Sequence, residues 1–320
     1  MPLPDVFLDR LARIVAPADL PGVVATFSAP LRTSFRVCTL LADEADVLAR
    51  LAAEGVPVEA VPGVAGAYSV EAEHRAALLG SGVGAAGLVY AQNASSQVPV
   101  HVLAPRPGER VLDLCAAPGS KTGQLAAAMR NEGEIVAVEK VRERFFRLRA
   151  NVAAQGATNV RVRLGSGTAV AHTDPEAFDR VLLDAPCSTE GRFRTDTHAT
   201  TAYWSPRKIK EMRAKQGRLL YAAVQALRVG GTLVYSTCTF APEENEGALA
   251  KMLKTFGDAV EVVPVGVPAG DAAVRPGMTE WDGRAFPESV RAARRVLPDG
   301  RFEAFFVARI AKHASTLRQG

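Results

Sequence analysis

"RVLDLCAAPGSKTGQLAAAMR", residues 110–130, is the stretch from which the fold is read. "RVLDL" (110–114) is an apolar strand, and "KTGQLAAAMR" (121–130) is Ala-rich and helix-forming. Between them "CAAPGSKTG" (115–123) is a turn of small residues around Pro118-Gly119, so a strand hands over directly to a helix N-terminus. The alternation then repeats. "EIVAVE" (134–139) is a strand ending in an acid, "VRERFFRLRANVAAQG" (141–156) a helix closed by Gly156, "NVRVRL" a third strand and "FDRVLLDA" a fourth. The long segment from Ser205 opens with a Ser cap and a Pro at the first helical position. Its Ile209, Met212, Gln216, Leu219, Ala223 and Leu227 keep helical spacing, and Gly230–Gly231 are expected to stop it. "TLVYST" is a fifth strand, and "AVEVVPV" and "AFFVARI" are candidates for the last two. The pattern predicts an α/β domain with a parallel, doubly wound sheet and helices on both faces.

The first 95 residues differ. Two short amphipathic helices ("DVFLDRLARIV" and "ADLPGVVATF") precede a strand, "TSFRVCTL", a helix, "EADVLARLAAEG", and a strand, "VPVEAVP". We divide the chain into a small N-terminal α/β appendage, 1–95, and the main domain, 96–315. A loose segment, "AQNASSQVPV" (91–100), is expected to join them.

Composition narrows the class. No run of about 18 apolar residues exists, so no membrane span is expected, and the N-terminus lacks the pattern of a secretory leader. Four scattered cysteines suggest reduced thiols and a cytoplasmic protein; with no CxxC pair, no metal site is expected. Net charge is +4, which permits a nucleic-acid partner without requiring one. The distribution is uneven. Eight Lys or Arg lie between Arg192 and Arg218 against two acids, Asp196 and Glu211. On charge alone this is equally a solvated helix face.

The 115–123 loop lacks the GxGxxG of a dinucleotide site and the glycine spacing of a P-loop, so phosphate recognition is not indicated. About twenty residues on, Glu139 ends the second strand, where a carboxylate can accept ribose hydroxyls. Loop and acid together suit an adenosine cofactor without phosphates, which points to S-adenosylmethionine. An ordinary strand-to-helix turn remains the competing reading.

Two of the four cysteines follow strands four and five. Cys187 lies in "DAPCSTEG" (184–191), and Cys238, 51 residues later, in "YSTCTFAPEENE". In doubly wound sheets ligands bind beyond the carboxyl ends of the strands, so both thiols reach one rim. A free cysteine is most often a small buried residue. Here the polar neighbours Asp184, Ser188, Thr237 and Thr239 argue against a purely apolar pocket.

Taken together, "LDLCAAPGSKT", "LLDAPCSTEG" and "VYSTCTFAPEENE", in that order and spacing, resemble the Nol/Nop/Sun family of RNA (cytosine-5) methyltransferases, near its bacterial RsmB/RsmF-type ribosomal RNA members. "TSFRVCTL", "AQNASS" and "EAFFVARI" are weaker landmarks, and the resemblance runs from about residue 4 to 311. It implies a Rossmann-like, S-adenosylmethionine-dependent core. Cofactor-binding residues would be Cys115, Ala116, Ala117, Pro118, Gly119, Ser120 and Lys121 of the loop, with Glu139, Arg144, Ser166 and Asp184. Cys238 would be the nucleophile, Cys187 would assist product release, and Asp184 and Lys121 would lie near the target base.

The chemistry gives a reason for two thiols. Carbon 5 of cytosine is a poor nucleophile; thiolate addition at carbon 6 makes an enamine that attacks the methyl donor. Lys121 or a helix N-terminus is expected to lower the nucleophile's pKa. The base must be unstacked, so single-stranded or opened RNA is the expected partner, with Arg192, Arg194, Arg207 and Lys208 as phosphate contacts. Ribosomal RNA or a ribosomal subunit is the expected target, transfer RNA the alternative, and a monomer is expected. Two departures from the family stand out. Cys38 replaces an Asn, and Ser166 stands where an acid usually reaches the adenine. The acids of "PEENE" (242–246) are expected to cap the next helix and brace the cysteine loop. The competing readings are a catalytically impaired RNA-binding assembly factor, a DNA cytosine-5 methyltransferase and an amino-group methyltransferase. The "STCT" cysteine weighs against the second, and "DAPC", with no aromatic after its proline, against the third.

Overall fold

The computed structural model describes residues 3–267 and 274–317. The chain opens with helices α1 (Asp5–Ile14) and α2 (Leu20–Thr26). Next come β1 (Thr33–Val37), α3 (Glu44–Ala53), β2 (Glu59–Ala60), β3 (Ala67–Val70), the short helices α4 (Arg75–Gly80) and α5 (Gly82–Ala85), and β4 (Val89–Ala91). The strands form an antiparallel sheet in the order β2-β3-β1-β4. Asp43 starts α3 by accepting from the amides of Ala45 and Asp46, and Val47 and Leu51 then pack on Phe35, Val37 and Val70. The strand expected over "VPVEAVP" is only two residues long. Helices α1 and α2 belong to a different cluster, where Phe7, Leu11 and Phe27 pack with Phe193, Phe240 and Leu297.

The segment expected to be a loose linker is ordered: it is the end of β4 and most of a buried helix, α6 (Ala94–Leu103). Asn93 caps it by accepting from the Ser95 amide. Its polar residues are paired inside the protein, which is why composition misled. Ser95 Oγ donates to the Glu303 carbonyl at 2.7 Å, and Gln97 Nε2 to the Gln92 carbonyl at 3.2 Å.

The main domain continues with β5 (Arg110–Leu114), α7 (Ser120–Ala128), β6 (Glu134–Glu139), α8 (Arg142–Ala154), β7 (Val160–Leu164), α9 (Val170–Thr173) and β8 (Phe178–Asp184). It ends with α10 (Pro206–Ala226), β9 (Leu227–Thr237), α11 (Glu246–Phe256), β10 (Val260–Val263), β11 (Val274–Pro276), the small hairpin β12 (Glu280–Trp281) and β13 (Arg284–Ala285), β14 (Arg294–Val296) and β15 (Phe305–Lys312). Strands β7-β6-β5-β8-β9 are parallel. The expectation of a parallel sheet needs correcting beyond β9. There β15, β14 and β11 extend the sheet antiparallel, and β10 pairs antiparallel with β15. No helical crossover separates β14 from β15, so the chain returns in the opposite sense. A second correction concerns α10. It ends at Ala226 and runs straight into β9, so Gly230–Gly231 sit within the strand segment instead of stopping the helix.

Both faces of this sheet are covered, and the period-two alternation of strand side chains divides the core into two layers. Val181, Leu183, Leu233 and Tyr235 face α10 and α11, whereas Leu182 and Val234 face α6 and α7. Strand order reverses between β5 and β8: β6 and β7 lie to one side, β9 to the other. The carboxyl ends of β5 and β8 therefore flank the crevice where doubly wound sheets bind ligands.

Candidate active site

The loop after β5 is built to let a ligand approach its backbone. Cys115 adopts φ 63° and Gly119 φ 105°, and the Ala117–Pro118 peptide is cis. Added at Gly119, a Cβ would lie 3.0 Å from Leu148 and 3.3 Å from Val152. The loop is held from outside by α8: Arg144 Nη2 donates to the Ala117 carbonyl at 2.6 Å and Asn151 Nδ2 to that of Pro118 at 2.8 Å. A third hold comes from the N-terminal sheet. Buried Arg36 donates to the Ser120 carbonyl at 3.2 Å and to Gln155 Oε1, while its Nε bonds Gln92 at 3.0 Å.

Glu139 sits at the end of β6 with its side chain 3% exposed. One carboxylate oxygen accepts from the Val141 amide at 2.8 Å; the other is buried and has no hydrogen-bond donor, with Arg144 at ion-pair distance, 3.5 Å. A buried carboxylate oxygen awaiting donors beside a loop of small residues fits the ribose of an adenosine cofactor. Ser166 caps the turn after β7, its Oγ 2.8 Å from Thr168 Oγ1, so that point of the rim is polar but uncharged. The Cys115 thiol is pushed up to about 12, chiefly by burial and then by Glu139, Asp113 and Asp184, which makes it inert.

Between β5, β8 and β9 lies a polar constellation. Lys121, 8% exposed, donates to Asp184 at 2.7 Å and to Ser96 Oγ at 2.6 Å. Asp184 accepts a second bond from Ser236 Oγ at 2.8 Å. Just beyond, Cys187 and Cys238 bring their sulfurs to 3.4 Å. They are free thiols, and they differ. Cys238 is held below the ordinary thiol range, first by the hydrogen bond from Cys187 and then by the positive charge of Arg192. Cys187 is pushed well above it by the same hydrogen bond and by burial. The two thiols titrate as a pair, with Cys238 the lower of the two.

The two cysteine loops are tied by buried acids, of which sequence reading passed over Glu190. Glu190 accepts from Thr239 Oγ1 at 2.8 Å, the Phe240 amide at 3.0 Å and Trp204 Nε1 at 2.9 Å. Glu244 accepts from the Ser188 amide at 3.0 Å and from Gln216 at 2.7 Å, and burial pushes it up to about 8. Glu246 pairs with buried Arg295 through two bonds, 2.7 and 2.5 Å. The acids of "PEENE" do brace the loop, but no side chain caps α11. The only signal for Glu190 was a carboxylate three residues after Cys187, which spacing alone does not interpret.

The expected phosphate contacts differ in their surroundings. Arg207 is exposed at the start of α10, and Lys208 there pairs with Glu211 at 3.1 Å. Arg194 is turned inward, bonded to Asp196 and the Thr26 carbonyl. Arg192 follows Gly191, whose amide donates to the Cys238 carbonyl at 3.0 Å; its guanidinium lies 3.7 Å from Glu303 and its charge acts on the Cys238 thiol. The charge expected from Lys121 is engaged by Asp184 instead. Buried Cys38 lies just past β1 and its thiol is pushed up by burial. Among the described residues there is no group of three metal-ligating side chains and no helix long and apolar enough to cross a membrane.

Residues 100–311 match the sequence model of the 16S rRNA methyltransferase RsmB/F family. The ribosomal RNA small subunit methyltransferase F of Escherichia coli strain HS is 40% identical over 97% of this chain and 63% of its own length. That of Serratia proteamaculans is 39% identical over 98% and 64%. The chain thus spans a little under two thirds of the length of these relatives. Among solved structures, a methyltransferase homolog from Pyrococcus horikoshii superposes with a TM-score of 0.80 at 32% identity, covering 97% of this chain and 100% of that one. NSun6 from the same organism, solved with SFG, gives 0.79 at 18% identity over 97% and 98%, a likeness of fold.

Proposed function

From the premise that the chain belongs to the RsmB/F family of 16S rRNA methyltransferases, we propose that it methylates carbon 5 of a cytosine in ribosomal RNA, using S-adenosylmethionine, through a covalent bond from Cys238 to carbon 6. The observation that carries this reading is the pair of free thiols at 3.4 Å beside the Lys121–Asp184 pair. The loop 115–121, Glu139, Arg144, Ser166 and Asp184 would hold the cofactor, which supplies the methyl group as an electrophile. Four free cysteines fit a reducing, cytoplasmic setting.

This chain's residues divide the work. The Cys238 thiolate adds to carbon 6, and the electron pair released onto carbon 5 makes that carbon nucleophilic. Asp184, fixed by Lys121 and Ser236, faces the base and favours the form protonated or hydrogen-bonded at N3. After transfer the carbon 5 proton passes to a water molecule, the C–H electron pair forms the 5,6 double bond, and the Cys238–carbon bond breaks with its electron pair returning to sulfur. The Cys187 S–H, 3.4 Å away, donates to the departing thiolate and so speeds release.

The test is methyl transfer from labelled S-adenosylmethionine into RNA and ribosomal subunits from cells lacking this gene, followed by nucleoside analysis. The wild type yields 5-methylcytidine, Cys238→Ala yields none, and Cys187→Ala accumulates a protein–RNA adduct stable in denaturant. RNA binding without methylation on every RNA tested would favour the alternative reading, an assembly factor with an impaired site.

A further inference from the structure

Helix α8 carries a feature that the chemistry above leaves unused. Residues 140–149 hold five cations, Lys140, Arg142, Arg144, Arg147 and Arg149, against one acid, Glu143, with Phe145 and Phe146 between them. The helix buries Leu148 and Val152 against the cofactor loop, and Arg144 and Asn151 bond that loop. At 100° per residue, Arg142, Phe145, Phe146 and Arg149 fall within one arc of about 100°, which borders the buried stripe at Phe145. Phe146 is 50% exposed. The rings of Phe145 and Phe146 meet edge to face at 5.4 Å, and each carries a guanidinium: Arg142 stands 5.8 Å from Phe146 and Arg149 5.9 Å from Phe145. Among the described residues Lys140, Arg142 and Arg149 have no carboxylate partner, and Arg147 has only Glu143 at 3.5 Å.

Among the described residues this face presents an exposed phenylalanine between arginines that no carboxylate neutralises. Its charge and aromatic surface together fit a strand whose backbone is anionic and whose bases offer π-faces. Its position fits as well. α8 begins directly after β6, at the same rim as Asp184, with β5 alone between β6 and β8, so the patch starts two strand spacings, roughly 10 Å, from the thiol-bearing side. We propose that this face of α8 is a docking surface for a single-stranded segment of the substrate RNA, one base stacking on Phe146 and the flanking phosphates meeting Arg142 and Arg149. The proposal rests on RNA being the substrate, as argued above, but on a different part of the surface.

The probe is a fluorescein-labelled single-stranded RNA 12-mer, titrated by anisotropy into the full chain from 50 to 200 mM NaCl, with a duplex of the same sequence alongside. Phe146→Leu weakens single-strand binding about tenfold and leaves the salt slope unchanged. Arg142→Gln with Arg149→Gln flattens the slope by about 1.4, two phosphates at about 0.7 each. Both variants bind S-adenosylhomocysteine as the wild type does by calorimetry, which shows that α8 still supports the loop. Unchanged affinity and slope in both variants overturn the proposal. So does loss through the arginines alone with Phe146→Leu neutral, since that describes a general polyanion surface on which an acidic protein would serve equally. A chain that never methylates RNA but shows the α8-dependent binding loses the proposed activity and keeps this surface; the reverse result separates them the other way.

Discussion

Cys187 and Cys238, 51 residues apart in sequence, place their sulfurs 3.4 Å apart because β8 and β9 are adjacent parallel strands that end together. Asp184 pairs with Ser236 in that ladder, so the residues three and two positions further on emerge side by side. The arrangement polarises the pair: one sulfur shares a proton toward the other, and Arg192 favours the negative charge on Cys238.

On the proposed mechanism Arg192, after the Cys187 hydrogen bond, helps set the pH at which the Cys238 thiolate is available. Arg192→Gln removes the cation that helps hold Cys238 low, so the acid limb of the rate profile moves to higher pH. The side chain is 59% exposed and its field is screened, so the loss near pH 7 is about fivefold. Alkylation of Cys238 by iodoacetamide across pH reports the same shift without RNA. A drop in rate that is equal at every pH would assign Arg192 to RNA binding alone.

Lys121 has a role that hydrophobic substitution cannot fill. Among the described residues Lys121→Met leaves Asp184 with Ser236 as its one bonded partner and removes the tie to Ser96. Methyl transfer falls by at least about 100-fold, as when one preorganised charge is lost from a site. Single-turnover rates with saturating cofactor measure this directly. Retention of near-normal rates would remove Lys121 from the reacting centre.

Gly119 is a position where the loop's backbone conformation disfavours any side chain. Gly119→Ala forces an L-residue to φ 105° and drives its Cβ to 3.0 Å from Leu148. The cost is about 1–3 kcal/mol of stability, and the displaced loop binds cofactor more weakly. Calorimetric titration with S-adenosylhomocysteine and urea unfolding check the two effects separately.

Buried carboxyls give stability a pH dependence of known sign. Burial raises Asp113 from 3.8 to about 7 and Glu244 from 4.5 to about 8. Between those limits the folded state binds more protons than the unfolded one, so stability falls as pH rises from about 4 to about 8. Each group fully within its window contributes about 1.4 kcal/mol per pH unit at most. Glu244→Gln keeps an acceptor for Ser188 and Gln216 and carries no charge. It flattens the fall, visible as a higher urea midpoint than wild type at pH 8 and a similar one at pH 5. Equal midpoints at both pH values count against a protonated Glu244.

The sequence by itself determined the order of strands β5 to β9, the small-residue loop, Glu139 at a strand end and the two cysteines beyond two strands. These signals are local. Strands buried on both faces are continuous apolar runs, and a turn that admits a ligand must use small residues. Three things were decided only by the tertiary structure. The direction of β15 was one, since an apolar run reads alike in either sense until a partner strand is chosen. The helix over residues 94–103 was another: its polar residues are satisfied by distant groups such as the Glu303 carbonyl, which no local pattern records. The third was the electrostatics of the thiols, where the helping cation is Arg192 and Lys121 is neutralised by Asp184. Charge interactions fall off with distance in space, and separation along the chain gives no measure of that distance.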